Sequence, residues 1–81
     1  MSEKFPAPSY RDITKVAKRL GFYLFREAKG SHEVWRRETD RRQTTIPHYS
    51  GSKSIKRKTL KAIIDGFGVN WKEFKKILNE K

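Results

Sequence analysis

Cysteine is absent from the 81 residues, so the chain can form neither a disulfide framework nor a thiolate metal site. This absence suits a reducing compartment, and a cytoplasmic protein is expected. The N-terminal residues Met-Ser-Glu-Lys-Phe-Pro-Ala-Pro lack the apolar run of a signal peptide. No stretch approaches the ~20 apolar residues of a membrane span, and neither a wide amphipathic face nor a lipid-anchor motif is present. No membrane partner is expected.

Acidic residues are scarce: nine Asp and Glu stand against 20 Lys and Arg, which gives a formal charge of +11. Such a domain attracts polyanions over about a Debye length. RNA or DNA is therefore the expected class of partner, and an acidic protein is a second candidate that does not exclude the first.

Apolar residues make up only 35% of the chain, but five Phe, three Tyr and two Trp provide large burial per side chain. The sequence predicts a flexible lead-in over residues 1–8, marked by Pro6 and Pro8, and a single small domain over residues 9–81.

Apolar spacing predicts the element order helix, three strands, helix, helix. Ser9 and Asp12 form the pattern of a capping box for a first helix that ends at Gly21, and the strands are expected over 22–27, 31–37 and 43–46. The second helix is predicted to end at Gly68 and the third to be capped by Asn70. The apolar stripes assigned to the core are Ile13, Val16, Ala17 and Leu20; Leu60, Ile63, Ile64 and Phe67; and Trp71, Phe74, Ile77 and Leu78.

Short turns between the strands favour an antiparallel meander. The expected fold class is α+β, with helices on one face of a three-stranded sheet and the other face partly open. Alternation along the second strand assigns His32, Val34 and Arg36 to one face and Glu33, Trp35 and Arg37 to the other. Core packing is the favoured role for most of the strand aromatics Tyr23, Phe25 and Trp35, and base stacking is the alternative.

Motifs for metal or nucleotide chemistry are missing. His32 and His48 lie far apart in sequence, the carboxylates have no ligand-like spacing, and no phosphate-binding glycine loop occurs. Ser31 and His32 do not indicate an acyl-transfer pair, since neighbours on a strand point to opposite faces. No metal and no cofactor are expected.

His32 in Gly30-Ser31-His32 can be read in two ways. The first is a half-exposed strand residue without a special role. The second starts from RNA, whose 2′-hydroxyl is a built-in nucleophile, so that cleavage needs only proton transfer and stabilisation of phosphorane charge. An imidazole surrounded by cations can supply both.

The chain from Ile13 to Leu78 resembles the HicA-type mRNA interferase toxins of type II toxin–antitoxin systems. The segments that carry the resemblance are Lys18-Arg19-Leu20-Gly21-Phe22, Lys29-Gly30-Ser31-His32, Ile46-Pro47-His48, Lys58-Thr59-Leu60 with Ile63-Ile64, and Gly68-Val69-Asn70-Trp71-Lys72-Glu73-Phe74. Lys58 stands where members of the family often have glycine before Thr-Leu.

The resemblance implies a fold similar to double-stranded-RNA-binding domains, ribonuclease activity on mRNA with His32 as the catalytic residue, and a HicB-like acidic antitoxin as partner. His48 is a second proton carrier, a phosphate contact or a solvated loop residue. Gly30 is expected to supply a turn with positive φ, and Ser31 to hold that loop or contact a phosphate. The candidate phosphate contacts are Lys29, Arg36, Lys53, Lys56, Arg57 and Lys58.

Two other functions fit the same residues. A noncatalytic RNA-binding module would contact phosphates and 2′-hydroxyls with its basic residues and would need no histidine. A protein-interaction domain would use the positive surface to dock an acidic partner, and would bind RNA only weakly and without selectivity.

Overall fold

Three helices and three strands form the described part of the chain, residues 8–48 and 55–80 of the computed structural model. The elements are α1 (Tyr10–Arg19), β1 (Tyr23–Glu27), β2 (His32–Arg37), β3 (Arg42–Pro47), α2 (Arg57–Phe67) and α3 (Trp71–Leu78). The predicted α+β class and element order are confirmed, with strand ends displaced by one residue. No helix within these ranges is long and apolar enough to span a membrane. Lead-in residues 1–7 and the loop residue Lys53 lie outside the description.

The helix ends follow the predicted signals. Ser9 Oγ accepts a hydrogen bond from the Asp12 N–H at 3.3 Å, and the Asp12 carboxylate accepts from the Ser9 N–H at 3.1 Å. Asn70 and Glu73 form the same reciprocal pair at the start of α3. Gly68 closes α2 with φ of 82°, a left-handed conformation in which glycine carries no steric penalty.

The sheet has the order β1-β2-β3 with antiparallel neighbours. A β-bulge interrupts β1, because Leu24 pairs with Trp35 whereas Arg26 pairs with Val34. The bulge, which period-two alternation does not predict, leaves Phe25 as the additional residue. Its ring lies 6.3 Å from that of Tyr23 between centroids.

The helices pack on one face of the sheet, as predicted, and leave an uncovered side here called the open face. The core between helices and sheet consists of Ile13, Val16, Ala17, Phe22, Trp35, Ile46, Ile55, Leu60, Ile63, Ile64, Phe67 and Phe74. The expectation of core packing holds for Trp35 and is wrong for Tyr23 and Phe25, each 41% exposed. Their strand β1 is one of the two edge strands, and the helices lie mainly against the other, β3. Pro8, expected in the lead-in, is buried, and its carbonyl accepts from the Ile55 N–H at 3.3 Å.

Arg37 fixes the turn between β2 and β3. Its guanidinium donates two hydrogen bonds to Asp40, at 3.1 and 2.8 Å, and a third to the Leu20 carbonyl at 2.8 Å. The hydrogen bonds from Arg37 lower the pKa of Asp40 to about 2. The turn is thereby joined to the end of α1.

Gly66 allows α2 to approach β3 closely. A Cβ atom on Gly66 would lie 2.5 Å from Thr44 Oγ1 and 2.6 Å from Thr44 Cβ. Alanine ordinarily stabilises a helix interior by about 1 kcal/mol over glycine. We nevertheless expect Gly66→Ala to lower the free energy of unfolding by about 1–3 kcal/mol, because the added methyl overpacks this contact. Urea denaturation measures the change.

A Thr44→Gly background is the control for this prediction. It removes both atoms that the new methyl would strike, so Gly66→Ala is expected to cost less there than in the natural chain. An equal cost in both backgrounds would contradict the steric explanation.

Candidate functional site

His32 stands at the start of β2, directly after a tight loop. Its carbonyl accepts from the Ala28 N–H at 2.8 Å, and its ring Nδ1 lies 3.4 Å from the Lys29 carbonyl oxygen. Gly30 has φ of 71°, as predicted, with open space where a Cβ would be. The Ser31 carbonyl accepts from the His48 N–H, which ties this loop to the end of β3. The result is an exposed imidazole on a backbone fixed at both sides.

Arg36 lies on the same strand face as His32 and Val34, which is the open face. Its guanidinium carbon is 4.8 Å from the centroid of the Phe25 ring, and its Nε is 3.4 Å from Glu38 Oε2. The Tyr23 hydroxyl also donates to Glu38, and this hydrogen bond raises the pKa of Tyr23. The open face thus combines the histidine with an arginine and two exposed aromatic rings.

Glu33 points to the opposite, helix-covered face and is buried. Its Oε1 accepts from the Tyr10 hydroxyl at 2.6 Å and from Trp35 Nε1 at 3.0 Å, and its Oε2 lies 3.4 Å from His48 Nδ1. Burial, followed by the hydrogen bond to Glu33, raises the pKa of Tyr10. The sequence prediction assigned Glu33 no role. The sequence signal for such a role was that Glu33 shares a strand face with Trp35. A carboxylate on a covered face needs hydrogen-bond partners.

His48 belongs to the Glu33 cluster and not to the open face. Its ring stacks on Tyr10 with 4.3 Å between centroids and 24° between planes. Because His32 pairs with Pro47, the residue after Pro47 faces the side opposite to His32. The two histidines therefore flank the same end of the sheet from opposite faces, and the structure does not bring their rings together.

The candidate cations occupy two places. Lys29 and Arg36 lie on the loop and strand that carry His32, whereas Lys56, Arg57 and Lys58 are exposed at the start of α2. That helix has no side-chain cap and no acidic residue in its first turn, so its N-terminal N–H groups and dipole favour an anion.

A groove of about 770 Å³ between α2 and α3 is a separate concave surface. Leu60, Ile64 and Trp71 are among its apolar lining residues, and Arg57 and Lys58 are among its charged ones. Neither histidine lines this groove. A search for concave surfaces alone would therefore not identify His32 or His48 as site residues. Within residues 8–48 and 55–80, no three His, Asp or Glu side chains are grouped as a metal site would require.

Taken together, the fold defines a small α+β domain with the α-β-β-β-α order of double-stranded-RNA-binding domains and one additional C-terminal helix. The family model described as HicA toxin of bacterial toxin–antitoxin matches residues 10–69, and the chain belongs to this family. Membership implies an antitoxin partner. A comparison with curated proteins finds no match.

Proposed function

We propose that this HicA family member is an endoribonuclease that cleaves mRNA without a metal ion, with His32 as general acid or base. The observation that carries the proposal is the exposed imidazole of His32 on the open face of the sheet, next to the Lys29 carbonyl and on the same strand face as Arg36. The cytoplasm, where mRNA is translated, is the proposed location.

The reaction needs little from the protein because RNA supplies the nucleophile. His32 takes the proton from a 2′-hydroxyl or gives one to the departing 5′-oxygen, and nearby cations offset the charge of the phosphorane. A bond from His32 Nδ1–H to the Lys29 carbonyl, now 3.4 Å between heavy atoms, would leave Nε2 for the proton transfer. In this proposal, Gly30 and Ser31 contribute by fixing the backbone of the loop that precedes His32.

RNA phosphates are bound by the six proposed cations, Lys29, Arg36, Lys53, Lys56, Arg57 and Lys58. Five of them lie in the described ranges, and the three at the start of α2 are exposed on a helix end that favours anions. Arg36 also pairs with Glu38, so its contact with RNA requires exchange of this partner. The antitoxin is proposed to be a HicB-like acidic protein that covers His32.

A noncatalytic RNA-binding module is the second candidate. The uncapped, basic start of α2 supports it, because phosphate contacts of this kind need no histidine. This alternative assigns binding without cleavage to the same surface.

The deciding experiment incubates purified protein with single-stranded RNA in EDTA and follows strand cleavage on a denaturing gel. The proposal expects cleavage to persist in EDTA and to depend on His32. RNA that is bound but stays intact would support the noncatalytic module. Cleavage that EDTA abolishes would reject the metal-free mechanism.

A further inference from the structure

Glu33 is a buried carboxylate whose two oxygens both have described partners. The side chain is 8% exposed, and within the described residues its oxygens contact Tyr10, Trp35 and His48. Tyr10 and Trp35 both donate to Oε1, which leaves Oε2 facing the histidine ring. Two neutral donors therefore hold the carboxylate, and its remaining oxygen is directed at one imidazole nitrogen.

His48 is held from two sides while much of its side chain stays accessible. Glu33 contacts Nδ1 and the Tyr10 ring covers one face, yet 53% of the side chain is exposed. The two ring nitrogens point in divergent directions, so fixing Nδ1 at the carboxylate turns Nε2 away from it. A carboxylate that orients an imidazole in this way selects the tautomer and the direction of its free nitrogen.

We propose that Glu33 is a positioning residue that holds His48 so that Nε2–H donates a hydrogen bond to an RNA phosphate. The proposal rests on the proposed RNA function. The imidazolium form has a donor on each nitrogen, one for Glu33 and one for the phosphate. Because His48 lies on the face opposite to His32, the phosphate it binds is not the one that His32 cleaves. His48 thus contributes to RNA affinity and His32 to rate.

The binding test uses protein carrying His32→Ala, which keeps the RNA intact, and measures the Kd of a fluorescent single-stranded RNA by anisotropy. Adding His48→Ala is expected to weaken binding by about 10- to 100-fold, the usual range for one hydrogen bond to a charged group. It is also expected to reduce the slope of log affinity against log salt by about 0.7, since one phosphate contact is lost. Unchanged affinity and slope would overturn the phosphate contact.

Adding Glu33→Gln to the same background is expected to weaken binding by severalfold to about tenfold, and to have no further effect once His48→Ala is present. A decrease in RNA affinity is informative, because removal of a negative charge ordinarily strengthens binding to a polyanion. Glu27→Gln is the matched control: Glu27 pairs with Glu33 across β1 and β2, is exposed, and carries the same charge. The control is expected to bind equally or more tightly. Equal effects of the two substitutions would overturn the positioning role.

A spectroscopic measurement separates positioning from general support of the fold. Nitrogen-15 NMR of the neutral His48 ring in the natural chain is expected to show the Nδ1–H tautomer, which donates to Glu33. A predominant Nε2–H tautomer would overturn the proposal even if Glu33→Gln failed to fold. If the natural chain leaves RNA intact, the ribonuclease proposal fails while the affinity measurements still decide the role of His48.

Discussion

Replacing His32 with alanine is expected to slow RNA cleavage by about 10²–10⁴-fold, the usual contribution of one proton-transfer group, without loss of RNA binding. The exposed ring contributes little burial to the domain, so its removal should leave the fold intact. The phosphate contacts belong to other residues in the proposal, which is why affinity and rate should separate. Single-turnover cleavage and anisotropy on the same RNA give the two quantities.

His48→Ala is the matched control for this prediction. It removes the same chemical group at the same end of the sheet, but from the opposite face and next to Glu33. We expect it to weaken binding while the cleavage rate at saturating protein stays near that of the natural chain. Cleavage that survives His32→Ala unchanged, or that falls only in proportion to binding, would remove His32 from the reaction.

The fold was predictable where local rules decide the structure. Ser9 with Asp12 and Asn70 with Glu73 satisfy helix N–H groups three residues away, and Gly68 takes a conformation that its sequence position suggests. Period-two alternation likewise assigned Trp35 and His32 to opposite faces of the sheet. Each of these depends on neighbours within a few residues, which a single sequence contains.

The features that escaped prediction depend on contacts between distant residues. The bulge at Phe25 shifts the pairing of β1 with β2, and no residue pattern within β1 indicates this bulge. Two partners of the Glu33 carboxylate are distant in sequence: Tyr10 lies 23 residues earlier in the chain, and His48 follows β3. The direction of His48 follows from pairing of His32 with Pro47, which fixes a register that spacing alone leaves undetermined.

Helix α3 lies outside residues 10–69, the part of the chain that the family model matches. Phe74 is nevertheless fully buried, and its ring stacks on Trp71 with 5.4 Å between centroids. Arg19 of α1 donates to the Ile77 carbonyl at 3.0 Å and to the Glu80 carbonyl at 2.5 Å, so the first and last helices are joined. These contacts make α3 part of the core that supports the sheet.

Phe74→Ala is accordingly expected to reduce the free energy of unfolding by about 3–5 kcal/mol, the cost of deleting a buried aromatic ring. An 81-residue domain at ~0.05–0.15 kcal/mol per residue has only about 4–12 kcal/mol in total, so the substitution would consume much of the stability. Urea denaturation by circular dichroism provides the measurement. Lys76→Ala, at an exposed position of the same helix, is expected to change stability by less than about 0.5 kcal/mol. If both substitutions change the free energy of unfolding equally little, α3 does not contribute to the core that supports the sheet and His32.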